Sequence, residues 1–322
     1  MNYQEFCTYV CCHLKDYLPE EYQNAAFAEA QAAKINQGIQ FGFYKTGDSE
    51  RTLTQMSLES WYQEYSAGAA PEELMEEIAS HYLQTEEMKK NSTIQKVLDS
   101  LTDKNFFKKD LIMERIIAKV INREKNEAIL QNRPHRAVND LELIYDIYLN
   151  NEEIGILTTP VTEGIRERLS LTEEELYQAA QKNFPSLFPP VTSGLVETVS
   201  RMLGEDIPED KREKETLILT NKNNYFGATY LAMPQVLETV TEDFCDKVAI
   251  IPSSLHELLL VEDDGTLDYE ELREILRSVN EEVVENEDFL SDNLYCYDRN
   301  IGQVQIVMDG GENQIIGMQE GL

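Results

Sequence analysis

Between residues 141 and 149 an apolar side chain falls on every second position. Leu141, Leu143, Tyr145, Ile147 and Leu149 alternate with Glu142, Ile144, Asp146 and Tyr148. A period of two belongs to a strand, whose side chains point to opposite faces in turn. Such a strand must sit in a sheet and be covered on at least one face. Residues 154–158 follow after Asn150-Asn151 and read as its hairpin partner.

The elements around this strand predict an α+β fold. Tyr3, Phe6, Val10, Leu14 and Tyr17 recur at helical steps over residues 3–18, up to Pro19. Residues 40–44 and 52–56 suit strands. Helices follow at 58–65 and, opened by Pro71 with Glu72 and Glu73 behind it, from 71 onward. Residues 85–95 are the best linker. Residues 94–130 read as helical. Thr172-Glu173-Glu174-Glu175 is a capping-box signature for a helix to about Lys182. Residues 184–190, with three prolines, read as a rigid connector. The last third predicts strands at 216–220, 248–251, 257–261, 294–297 and 303–308. It predicts helices at 228–244, kinked at Pro234, and at 269–279. The expected architecture is a small N-terminal α+β domain, then a larger one with a mainly antiparallel sheet and helices packed on it. The expected boundaries are 1–90, 94–205 (basic helical segment, hairpin and helix) and 212–322 (acidic, α+β), the last two able to form one unit.

Charge limits the partners. The net charge is −32, from 28 basic and 60 acidic residues, with 42% hydrophobic residues to build a core. A strongly negative surface repels phosphate backbones and anionic lipids, so nucleic acid is disfavoured as a partner. No apolar run approaches the ~18 residues of a membrane helix, and the first residues lack the cationic region of a secretory signal. Five cysteines, an odd number in a chain this long, predict free thiols and a cytoplasmic location. Cys7, Cys11 and His13 lack the second ligand cluster of a zinc site, so no metal is expected there. The charge is also uneven. Residues 89–136 hold twelve basic against six acidic side chains, and residues 238–322 hold four against twenty-two. The basic segment is expected to dock on acidic surface, within the chain or across a self-associated pair.

Few motifs carry chemistry. There is no P-loop, G-x-G-x-x-G, H-E-x-x-H, C-x-x-C or G-x-S-x-G. Asp264-Gly265-Thr266-Leu267-Asp268 with Glu271 copies the second half of an EF-hand loop. Its first position would be Leu260, which offers no oxygen. A turn between a strand and a capped helix is the better account, so no metal and no cofactor are expected. Ser253, Ser254, His256 and Glu257 lie within one short stretch. Residues two and three apart seldom form a nucleophile–base pair, and Ser253, His256 and His135 are only weak catalytic candidates. Arg133-Pro134-His135-Arg136, near Asp140, offers two forked donors for an anion or for salt bridges. Asn224 and Tyr225 lie in a strand-to-helix turn, residues 221–228, where free N–H groups favour anions. Arg133, Arg136, Asn224 and Tyr225 are therefore the anion-binding candidates.

Taken in order, several segments resemble an uncharacterised family common in anaerobic Gram-positive bacteria. It is a domain of unknown function, distantly similar to the YtpQ group. They are Asn36-Gln37-Gly38, Trp61 to Gly68, Pro134-His135-Arg136 with Asp140-Leu141, Leu171 to Tyr177, Asn183 with Leu187 to Pro190, Leu219-Thr220-Asn221, Tyr225 to Ala228, and Pro252 to Glu257. Where that family has Tyr-Gly-Ala, this chain reads Tyr225-Phe226-Gly227-Ala228. The resemblance implies a bacterial cytoplasmic setting and transfers no activity, cofactor or catalytic residue.

The reading of function is a non-enzymatic interaction or regulatory protein, with a protein partner or self-association. One alternative is a ligand- or anion-binding protein or enzyme built on the Pro-His-Arg and Pro-Ser-Ser-Leu-His-Glu motifs. The other is an acidic inhibitor that imitates nucleic acid.

Overall fold

The computed structural model describes residues 1–46, 56–89, 108–151, 155–203 and 216–308, in an α+β fold of antiparallel sheets and helices. Met1–Leu111 with Leu149–Leu157 forms one compact unit, and Ile112–Tyr148 with Thr158–Leu322 a second.

The first unit opens with helix α1 (Tyr3–His13), held at its start by a reciprocal cap. The Asn2 side chain accepts from Glu5 N at 2.9 Å, and Glu5 accepts from Asn2 N at 2.9 Å. Phe6, Cys7, Val10 and Leu14, three and four apart, form its buried face. Strands β1 (Ala26–Lys34), β2 (Gly38–Thr46) and β3 (Met56–Ser57) make an antiparallel sheet. Helices α2 (Glu59–Ser66) and α3 (Pro71–Lys89) follow, and Phe43, Leu58, Leu74, Met75 and Ile78 join α1 in one core. Gly42 is where β3 passes closest. A Cβ there would lie 2.1 Å from the Met56 carbonyl oxygen, so no side chain fits.

The second unit has two sheets. Short helices α4 (Lys109–Met113) and α5 (Glu127–Leu130) precede and follow strand β4 (Ile116–Asn122) in the chain. Strand β6 (Leu141–Asn151) pairs antiparallel with β4 and with β5 (His135–Val138), and β7 (Gly155–Pro160) pairs with it, residues 149–157 of β6 and β7 belonging to the first unit. Helix α6 (Glu163–Arg168) leads to α7 (Glu173–Leu187), which packs against β4. Asn183 of α7 donates to the carbonyls of Met113 and Ile116 at 2.8 and 2.9 Å. The other sheet runs β13-β12-β10-β11-β9-β8, antiparallel throughout. Its strands are β8 (Pro190–Gly194), β9 (Leu217–Asn221), β10 (Lys247–Ser254), β11 (Glu257–Glu262), β12 (Tyr295–Asp298) and β13 (Gln303–Ile306). Helix α8 (Leu195–Leu203) follows β8, and α9 (Pro234–Val240) precedes β10. Helix α10 (Tyr269–Glu282) lays Leu276 on Leu294, Cys296 and Val307.

Several expectations are corrected. Residues 116–122, read as helix, are β4. The run Ile116-Ile117-Ala118-Lys119-Val120-Ile121 is rich in β-branched residues and buried on both faces, which hides its period. Residues 90–107, which hold most of the expected linker and the first part of that helix, lie outside the described residues, as do 52–55. The alanine-rich residues 26–34 form β1, tied to β2 from Ala26↔Thr46 to Lys34↔Gly38. Pro234 does not kink a helix. It stands at the first turn of α9, where its missing N–H does no harm, after a 3-10 turn at Gly227–Ala232. The expected rigid connector is partly helix, since α7 continues through Pro185 to Leu187 with Phe184 and Phe188 buried around it.

Candidate functional site

The alternation in β6 is real, and its polar positions are the surprise. Leu143, Tyr145 and Ile147 are buried, but so are Glu142 (6% exposed) and Asp146 (3%). Opposite them Lys119 of β4, across from Ile144, is 7% exposed. Pairing antiparallel, Lys119 and Asp146 share a face as diagonal neighbours. Lys119 Nζ lies 2.6 Å from Asp146 Oδ2. The Arg133 guanidinium donates to Asp146 Oδ1 and to the Tyr145 carbonyl. Burial pushes the Asp146 carboxyl up, but Arg133 and Lys119 outweigh it and hold it at about 2. Two largely buried cations thus share one carboxylate. Lys119 Nζ also reaches Thr158 Oγ1 at 3.3 Å and lies over the rings of Phe226 at 4.6 Å and Tyr225 at 5.2 Å.

Those rings come from the turn after β9. Asn221, 1% exposed, organises it: Oδ1 accepts from Asn223 N and Tyr225 N, both at 3.1 Å, and Nδ2 donates to the Tyr225 carbonyl at 2.8 Å. Asn224 and Phe226 adopt left-handed backbone, with φ +48 and +46. For phenylalanine this costs about 1–2 kcal/mol, offset here by contacts on both sides. Its N–H donates to His256 Nδ1 at 3.2 Å, and its ring meets the His256 ring edge-on. Gly227 N donates to the His256 carbonyl at 3.1 Å, and a Cβ on Gly227 would lie 2.3 Å from that same oxygen. Phe226 is thus the residue that turns the chain onto His256. The Tyr225 ring stacks on Phe188, and its hydroxyl donates to Thr158 Oγ1 at 3.4 Å.

Because His256 Nδ1 accepts an N–H, its proton sits on Nε2, which faces Asp288 Oδ1 at 3.3 Å. Ser253 Oγ donates instead to Glu257 Oε1 at 3.0 Å, and Ser254 Oγ accepts from His256 N. Ser253 and His256 share no partner.

The Pro-His-Arg segment is divided by strand alternation. His135 is exposed, its Nδ1 2.8 Å from the Arg133 carbonyl oxygen, and it shares no partner with His256. Arg136 points to the opposite face. It grips Glu173 through Nε (3.0 Å) and Nη2 (2.6 Å), also bonds Glu174, and stacks 3.8 Å over the Tyr177 ring. The hydrogen bond from Arg136 keeps the Glu174 carboxyl below its usual range. The Tyr145 hydroxyl donates to Glu173, and burial together with that carboxylate raises its pKa. Asp140 accepts from Ser291 (2.9 Å), Asn293 (3.0 Å) and Tyr295 (2.7 Å). Lys119, Arg123, Arg133 and Arg136 of the basic segment all meet carboxylates of their own unit, Arg123 on Glu142 at 2.7 Å.

In the EF-hand-like loop, the entering segment is β11 and Asp268 caps α10, accepting from Glu270 N at 3.0 Å and Glu271 N at 3.1 Å. Among the described residues no group of three His, Cys, Asp or Glu side chains is placed to hold a metal.

The structure therefore joins Arg133, Tyr225 and His256 in one chain of contacts, through residues that motif reading passes over, Lys119, Asp146 and Thr158, with Asn221 shaping the turn. The usable signal was a lone lysine in an aliphatic run and a lone aspartate in an alternating strand.

Fold and site define an α+β protein with a buried ion triad beneath an aromatic turn. The chain belongs to a family of unknown function (DUF5688), whose model matches residues 3–299. No curated protein and no solved structure matches it.

Proposed function

We propose that this protein works by binding another protein rather than by catalysis. The observation that carries the reading is on α10. Ile275, Val279 and Val283, four residues apart, are 54%, 39% and 73% exposed. Ile275 and Val279 lie one turn apart on α10, and Val283, the residue that caps its C-terminus, adds a third exposed branched aliphatic side chain at its end. Contiguous apolar surface of this kind marks contact sites. Meanwhile Lys119, Arg133, Asp146 and Arg136 are held by partners inside the protein, which suits a structural role. No described helix is long and apolar enough to cross a membrane, and five free cysteines suit a reducing compartment such as a bacterial cytoplasm.

A photo-crosslinking residue at Ser278, beside the row, tests the reading in cells. It should capture a protein partner, and Ile275→Ser with Val279→Ser should abolish capture. Capture no greater than from the same probe at exposed Thr239 would refute it.

A second reading, anion binding, rests on the two cations that share Asp146 beside the Tyr225 ring. Inorganic phosphate should then raise the melting temperature saturably, and Lys119→Met should remove the effect. No shift up to tens of millimolar would end it.

A further inference from the structure

Resting on that reading of α10, we infer that its partner is a cationic amphipathic helix, seated along exposed Ile275 and Val279 and reaching Val283 at the helix end. The ridges of α10 differ sharply in chemistry. One, Leu272, Leu276 and Asn280, turns inward, with Leu276 3% exposed and Asn280 donating to the Ser291 carbonyl at 3.1 Å. The next carries the exposed aliphatic row, headed by exposed Glu271. Beyond it lies Glu270, Glu274, Ser278 and Glu282, all exposed. Arg277 stands across the inward ridge, away from the row, and Arg273 is turned in, 3% exposed and bonded to the Val307 carbonyl at 2.8 Å. The aliphatic row is therefore bordered by carboxylates, and Glu285 and Glu287 extend the acidic surface past its end.

This arrangement selects its occupant. A helix that packs ridge to ridge here must bring apolar residues at three- and four-residue steps, and its flanks meet glutamates. Lysine or arginine on those flanks is attracted by the local carboxylates and by the −32 charge of the whole chain. A second copy of α10 would set glutamate against glutamate, so self-association through this face is disfavoured. An anionic lipid surface is repelled for the same reason.

The test uses the full chain and two labelled helical peptides with the same leucine pattern, one flanked by lysine and arginine, the other by glutamate. Fluorescence anisotropy should show the cationic peptide binding at least about tenfold more tightly at low salt, the gap narrowing as salt rises. Ile275→Ser with Val279→Ser should weaken it about tenfold, and Glu274→Lys with Glu282→Lys should weaken it by a similar factor that shrinks in high salt. These positions are exposed, and unchanged circular dichroism and melting temperature will show each variant folded. Equal binding of both peptides, or no effect of the glutamate changes, overturns the inference. So does a concentration-dependent dimer, seen by light scattering, that Ile275→Ser with Val279→Ser dissolves, since the occupant is then a second copy. If the Ser278 probe still captures a partner through the aliphatic row while the cationic peptide shows no preference, the inference fails and the interaction reading stands. If that capture fails as well, both fall.

Discussion

The triad in the second unit makes an asymmetric prediction about charge removal. Asp146 is the one carboxylate paired with Lys119 and Arg133 among the described residues, and side-chain exposures of 9%, 4% and 11% for Lys119, Asp146 and Arg133 leave little solvent to help. Asp146→Asn keeps the shape but strands two cations, and breaking a buried pair this way costs about 3–5 kcal/mol. Lys119→Met removes one cation and leaves Arg133 with Asp146 balanced, so it should cost less than about 1.5 kcal/mol, mostly the contacts over Phe226 and Tyr225. The carboxyl also sets a pH dependence. Its pKa falls from 3.8 to about 2 on folding, worth roughly 2.5 kcal/mol at about 1.36 kcal/mol per unit. A depressed carboxyl gives stability that is fully present above its unfolded pKa and is lost as pH falls through the folded value. The gap between wild type and Asp146→Asn should therefore hold from pH 7 to about 4 and narrow by roughly 2 kcal/mol towards pH 2. Urea unfolding is the assay, followed by hydrogen exchange of β4 and β6 amides, because the single tryptophan, Trp61, lies in the other unit. If Asp146→Asn costs no more than Lys119→Met, or the gap ignores pH, the triad argument is wrong.

Three further outcomes are expected. Gly227→Ala should destabilise the second unit by about 2 kcal/mol or more, since the contact is with the His256 backbone, and a normal unfolding midpoint would refute it. Tyr145→Asp should lose several kcal/mol in urea, because it buries a charge beside Glu173; a loss under about 0.5 kcal/mol, typical of surface sites, would contradict the burial. Millimolar calcium should leave the melting temperature unchanged, because Leu260 stands at the first loop position and Asp268 is engaged with backbone N–H groups. A saturable rise removed by Glu271→Gln would show otherwise.

How much of this was legible depends on whether the signal is local. The capping box from Thr172 to Glu175 is a four-residue device, and it sits where the residues said. The alternation in β6 is equally local. What it could not convey is that both faces are buried, because the cover for Glu142 and Asp146 comes from Arg123, Lys119 and Arg133, which arrive only once β4 and β5 are paired with β6. Strand β4 itself reads either way, as an apolar run with one lysine, until its partner some 25 residues on is known. Phe226 shows the same limit: nothing nearby in sequence favours a left-handed phenylalanine, and its support is His256, thirty residues away. Arg133 and Arg136 were legible as a pair, but Arg133 lies before β5 and Arg136 within it, and they reach different carboxylates, Asp146 and Glu173.

The order of the six-stranded sheet bears on how the protein is made. Strands β8 and β9, β10 and β11, and β12 and β13 are each neighbours both in the chain and in space, and only the β9–β11 and β10–β12 contacts bridge across the order. As the chain leaves the ribosome, each of these strands pairs with the one just before or after it, so edges wait only briefly for a mate. The sheet can grow pair by pair during synthesis, with short loops closing β10–β11 and β12–β13 and a longer stretch, 195–216, joining β8 to β9. Strand β13, beside β12 at one end of the order, is the last of the six to join. Premature termination before β12 would leave β10 as an open aliphatic edge, the template on which nascent chains aggregate.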